Sequence, residues 1–143
     1  MLKRDFILTQ IEELGKVIAQ IIDLRNANAA RKIPQLAQVV YDSLKIDRDF
    51  LMNTPCHDIR HFLDGEDGSG LQRIEIAVKV LIEEAYLHPE KQRELRLKAK
   101  ELLDYIQARD TTYSLERIQL LEELNYQLDI PSSRLPPYQN KEG

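Results

Sequence analysis

Apolar residues recur along this chain at the three- and four-residue steps of helix faces, and they are densest between Leu71 and Arg109. In the first half of that stretch Leu71, Ile74, Ala77, Val78, Leu81, Ile82 and Ala85 mark one face, and Ile76, Val80 and Leu87 lie almost opposite. Only Gln72, Arg73, Glu75, Lys79, Glu83 and Glu84 remain polar. A helix apolar on two sides is predicted to be the central and most buried one. In the second half Leu95, Ala99, Leu102, Leu103 and Ile106 form one stripe against Arg93, Arg96, Lys100 and Asp104, the pattern of a peripheral, half-exposed helix. His88-Pro89 leaves almost no linker, and proline suits a first helical turn but not an interior. The two helices are therefore predicted to form an antiparallel hairpin.

Between Asp5 and Arg25, Ile7, Ile11, Leu14, Ile18 and Ile21 alternate steps of four and three, the spacing of a coiled-coil-like seam. Phe6, Val17 and Leu24 widen the stripe. Three heptads fit an ordinary core-facing helix better than a long coiled coil, but the surplus apolar width points to an interface built on Phe6, Ile7, Val17 and Leu24, with a homodimer as its simplest form. The competing expectation is that the last helix folds back over the first and covers the excess. Asn26 to Ala30 reads as a turn, Pro34 as the first turn of a second helix, and Ile33, Leu36, Ala37, Val40 and Leu44 as its face.

From Ile46 to Gly70 the pattern is finer. Asp47 can cap a short turn carrying Phe50 and Leu51, and Thr54-Pro55 can cap and open a further short helix with Ile59, Phe62 and Leu63 as its buried side. The acidic, glycine-rich run Gly65 to Gly70 is predicted to be the loosest connection. Ser114 suits the N-cap of a last helix presenting Ile118, Leu121, Leu124 and Leu128, and Ile130-Pro131 ends it. The domain prediction is thus one helical unit over 1–130 and an extended tail over 131–143, with five long helices and a short helical segment near 47–64.

Composition narrows the class. With 43% hydrophobic and 31% charged residues, and 5 Gly and 6 Pro in 143, the chain is that of a folded helical domain and not a disordered one. A formal charge of -4 argues against non-specific nucleic-acid binding, which needs clustered Lys and Arg. No apolar run approaches the length of a membrane span, no secretory signal is read at Met1 to Asp5, and the one cysteine, Cys56, fits a reducing compartment. The expected place is the cytoplasm, with no membrane partner.

Candidate chemistry is sparse. Cys56, His57, Asp58 and His61 form the one cluster of potential ligands, with the histidines four apart on one helix face. Imidazoles so spaced can hold zinc, but adjacent cysteine and histidine point apart on a helix, so Cys56 is expected as a packed thiol and the histidines at the surface. Gly65 to Gly70 fails as a calcium loop, having Gly68 and Ser69 where an oxygen ligand and a glycine are needed, and lacks the lysine of a phosphate loop. Glu12-Glu13, Glu83-Glu84 and Glu122-Glu123 are neighbours that point in different directions, and are expected on solvated faces. Arg93, Arg96 and Lys100 are interleaved with acids, and Arg134 to Tyr138 lacks the second spaced proline of a proline-rich ligand.

In helix order the chain resembles a bacterial family of small uncharacterised helical proteins related in architecture to tetratricopeptide repeats. The residues that carry this are Arg4-Asp5-Phe6-Ile7 with Ile11-Glu12 and Leu14-Gly15, Ile33 to Leu51 with Asp47-Arg48-Asp49-Phe50-Leu51, and Tyr113-Ser114-Leu115-Glu116-Arg117-Ile118. The resemblance implies an all-α fold of antiparallel helical hairpins, tetratricopeptide-like or a bundle, and no catalytic residues. The small and aromatic positions of a 34-residue repeat are not reproduced. The expected function is a non-catalytic protein-interaction or scaffold module without cofactor, acting on a protein partner or on a second copy of itself. The alternative is a small metal-dependent enzyme or metal-binding protein using Cys56, His57 and His61.

Overall fold

The computed structural model describes residues 3–129, with side chains from Ile7 onward. The tail expected over 131–143 and the side chain of Phe6 lie outside the described residues. Seven α-helices follow one another: α1 (Lys3–Asn26), α2 (Ile33–Leu44), α3 (Arg48–Asn53), α4 (Cys56–Asp64), α5 (Gly70–Leu87), α6 (Gln92–Arg109) and α7 (Leu115–Leu128). Single 3-10 turns at Ala30–Lys32 and Pro89–Lys91 lead into α2 and α6. Five helices are long and two short, and the described residues contain no strand. No helix among them is long and apolar enough to cross a membrane.

Local chemistry sets most of the boundaries. The Asp47 carboxylate accepts the backbone N–H of Phe50 at 2.8 Å and opens α3, and the Ser114 hydroxyl accepts that of Arg117 at 3.1 Å and opens α7. Lys45 ends α2 in the left-handed conformation at φ 61°, and Asp129 ends α7 at φ 60°. Thr54 does not cap α4 as expected. It closes α3, its carbonyl takes the Lys98 ammonium at 2.8 Å, and α4 starts behind an extended Pro55 without a side-chain cap.

Polar contacts fix the directions of the helices. Gln10 meets Ser43, so α1 and α2 are antiparallel; Gln10 also meets Arg73 while Arg25 meets Glu83, so α1 and α5 run the same way. Gln92 donates to the carbonyl of Ala85, closing the α5–α6 hairpin, and Arg93 to that of Leu128, so α7 returns beside α6. With α1, α2, α4 and α6 all against it, α5 is the core of the molecule. Ile74, Ala77, Val78, Leu81 and Ala85 of its first face and Ile76 and Val80 of its second are all buried.

Of the seam on α1, Leu14, Ile18 and Ile21 are buried, and Ile11, Val17 and Ile22 pack half-buried against the core. The periodicity therefore serves the chain's own interior. Val17 is half-buried against the core, and Leu24 sits with Leu36 in a furrow between α1 and α2. Ile7 is half-buried too. Gly15 lies mid-helix, where glycine costs about 1 kcal/mol relative to alanine. Among the described residues, and apart from its chain neighbours and its own helix backbone, no atom comes within 4 Å of where its Cβ would be.

Candidate functional site

Two helices that both follow α5 in direction, α1 and α7, stand apart across it and leave an apolar groove of about 210 Å³. Its α1 wall is Gly15, Ile18, Ala19 and Ile22, its floor Ile82, and its α7 wall Leu120. The wall on α1 is low because two of its residues carry little or no side chain. Charged pairs close the rim: Lys79 Nζ lies 3.0 Å from Glu116, and Glu83 holds the guanidinium of Arg25. Among the described residues α2 packs along one side of α1, and α7 faces the other side across this groove instead of packing closely along it.

A second concavity, about 390 Å³, lies between α2, α3 and the end of α5 and is polar. Glu84 is buried at its base, accepting a hydrogen bond from the Tyr41 hydroxyl, with Arg48 Nη1 at 3.7 Å. Burial and the Glu84 charge push the Tyr41 phenol well above its ordinary range, so it stays protonated and serves as a donor. His88, Asp47 and Asp49 line the mouth. The cleft offers charge but no serine, cysteine or lysine nucleophile, and the Glu84 carboxylate is already engaged within the chain.

Glu83 and Glu84 correct the expectation of a solvated acidic pair. They do point in different directions, but both are buried, one on Arg25 and the other on Tyr41 and Arg48. Arg73 and Arg117 are buried cations that the periodicity did not single out. Arg73 sends Nη1 to Asp67 and to the Leu63 carbonyl, each at 2.9 Å, and Nη2 to Asp67 at 2.8 Å. The Gly65 to Gly70 run is accordingly tied down. Asp67 also accepts the Ser69 N–H and Asp64 the Gly70 N–H, both at 2.9 Å, so the segment expected to be loosest is pinned by two carboxylates and a guanidinium.

The cysteine and histidines do not converge. Cys56 is buried, and burial pushes its thiol pKa up, away from the thiolate a metal requires. His57 and His61 are exposed on α4, with His57 Nδ1 3.3 Å from the Tyr105 hydroxyl. Among the described residues no three His, Cys, Asp or Glu side chains are grouped so as to hold a metal ion. Phe62, expected inside, is half exposed and meets Phe50 in a tilted contact, with ring centroids 5.2 Å apart and planes 55° apart.

No protein-family model, curated protein or solved structure matches this chain.

Proposed function

We propose that the protein is a non-catalytic interaction or scaffold module whose working surface is the groove over α5 between α1 and α7. One observation carries this: among the described residues an apolar trough lies along a parallel helix pair, with a low wall at Gly15 and Ala19 and a charged rim at Lys79, Glu116, Arg25 and Glu83. A helix presenting apolar side chains every three or four residues is the partner such a trough fits. The likeness to tetratricopeptide-type hairpins read from the sequence agrees with that role, since stacked helix pairs offer grooves of this kind. We place the protein in the bacterial cytoplasm, where its lone thiol stays reduced.

The test is site-directed photo-crosslinking in cells, with the reactive residue at Ala19 in the groove or at Val39 on the outer face of α2. A protein adduct at Ala19 that disappears with Leu120→Glu, without one at Val39, is the expected result. Equal labelling at both sites, or none at Ala19, refutes the groove as the working surface.

A further inference from the structure

We infer that the occupant of the α1 edge of this groove is a second copy of the chain, in an antiparallel two-fold dimer with its axis beside Gly15, an inference that rests on the interaction reading above and narrows it.

The edge is its own complement. Leu8 is 58% exposed on α1, and Ile22 lines the groove. Each is seven residues from Gly15, close to two helical turns, so all three share one face, with Leu8 and Ile22 about 10 Å to either side of the glycine. A two-fold axis perpendicular to the helix at Gly15 exchanges these heights. It lays the exposed Leu8 of each copy over the Ala19–Ile22 wall of the other.

Gly15 supplies the second observation. A glycine inside a helix is used where the chain must turn left-handed or where another backbone comes close. Gly15 has no positive φ, and among the described residues nothing beyond its chain neighbours and its own helix backbone is near its missing Cβ. Neither use is met within one copy, whereas a crossing of two α1 helices at this point needs a residue that lets the axes approach.

Charge fixes the orientation. Glu12 and Lys16 are exposed along the outer margin of the same face, and their midpoint, Leu14, is within one residue of the axis. The antiparallel two-fold therefore brings Glu12 of each copy to Lys16 of the other, twice. A parallel two-fold would carry this margin to the opposite side of the contact, so that neither Glu12 nor Lys16 would meet its oppositely charged counterpart. A surface whose apolar partners pair about Gly15 and whose charged partners pair about Leu14, one residue away, fits an isologous interface.

Sedimentation equilibrium and light scattering over roughly 1 to 200 µM, which spans weak and moderate dimers, test this on the full chain. The wild type is expected to approach twice the 16.7 kDa chain mass. Gly15→Leu should weaken dimerisation at least about tenfold while the melting temperature of the dilute monomer holds or rises, because the site is open within one copy and leucine is the better helix former. Lys16→Glu should weaken it too, and adding Glu12→Lys to that variant should restore it. A wild type at 16.7 kDa throughout overturns the dimer. So does a dimer indifferent to both Gly15→Leu and the charge changes. A monomer that still gives a foreign adduct at Ala19 loses the dimer and keeps the interaction module; a dimer whose only adduct is its own copy keeps the dimer and loses any other partner.

Discussion

Arg117, only 2% exposed, holds Nη1 3.0 Å from Glu75 and so ties the last helix to the central one. Gln107 accepts from its Nε at 2.8 Å, the Thr112 carbonyl from Nη2 at 3.2 Å, and Asp110 completes the cage at 3.3 Å. A guanidinium out of water with four oxygen partners is satisfied where it stands, but removing it leaves those acceptors facing an apolar neighbour. Arg117→Met should cost on the order of 3 kcal/mol, read as a lower urea midpoint at unchanged slope. A loss below about 0.5 kcal/mol, the range of an ordinary surface substitution, would mean that the cage contributes nothing net.

The fold was legible in the chain wherever periodicity decides. The two apolar faces of Leu71 to Leu87 placed α5 at the centre, and the single stripe of Leu95 to Ile106 placed α6 beside it. What stayed hidden depends on partners distant in sequence. Glu83 and Glu84 look like surface carboxylates until Arg25, 58 residues away, and Tyr41, 43 away, are brought to them. Gly65 to Gly70 has a loop composition, and nothing local announces that Arg73 will reach back to Asp67. The groove was half visible: the apolar surplus of α1 could be read, but a heptad cannot tell the side that meets α2, where Leu24 sits with Leu36, from the side that lines the groove at Gly15, Ala19 and Ile22.

The Asp67–Arg73 pair predicts acid sensitivity. The guanidinium holds the Asp67 carboxyl down to about 2 from an ordinary 3.8, first through its hydrogen bonds. Because the folded value is the lower one, the unfolded chain takes up the proton first, so this stabilisation is complete above 3.8 and is lost as pH falls toward 2. After discounting for nearby solvent it is on the order of 1 kcal/mol. Asp67→Asn should lower the melting temperature at pH 6 and converge on wild type near pH 2. The same variant should open the loop to thermolysin, which in the wild type should not cut first at Gly65 to Gly70; parallel pH curves and equal cutting would contradict the pinning.

Gly70 is required for a contact within the chain, whereas Gly15 is open within one copy. A Cβ there would lie 2.6 Å from the Arg60 carbonyl oxygen and still nearer to the Asp64 carboxylate that accepts the Gly70 N–H. Gly70→Ala must therefore move backbone at the α4–α5 junction, at a cost of roughly 2 kcal/mol. Gly15→Ala should stabilise the folded chain by up to about 1 kcal/mol when variant and wild type are compared as dilute monomers. Thermal melts of the two variants should move in opposite directions, and a common direction would refute the distinction.

Tyr41 gives an alkaline prediction. Its phenol is raised above 10.0 by burial first and the Glu84 charge next, so the unfolded chain releases that proton before the folded one. Stability from this group is complete below pH 10 and falls as pH rises further. Tyr41→Phe removes the donor to a buried carboxylate and should cost about 1.5 to 3 kcal/mol at pH 7, with a shallower decline above pH 10 than wild type. An absorbance titration in which every tyrosine ionises together near pH 10 in the folded protein would refute the burial of this phenol.

The last helical turns of α1 depend on Arg25. Its guanidinium binds the Glu83 carboxylate through Nε and Nη2 and lies over the Tyr86 ring with the charge centre 4.1 Å from the centroid, while Arg96 approaches the same ring at 5.1 Å. Tyr86 in turn accepts from Gln127 at 2.9 Å, so one ring joins α1, α5, α6 and α7 at the closed end of the groove. A planar fork can meet a carboxylate side-on and stack on an aromatic face at once; an ammonium can do only one of these well. Arg25→Lys should therefore cost about 1 kcal/mol or more even though charge is kept, and Arg25→Ala more, since Glu83 is then left buried without its cation. Hydrogen exchange should locate the effect: faster exchange over Ile21 to Asn26 in both variants, with the α5–α6 hairpin unchanged. Exchange that rises uniformly along the chain would show that the stack supports global stability and does not anchor the end of α1.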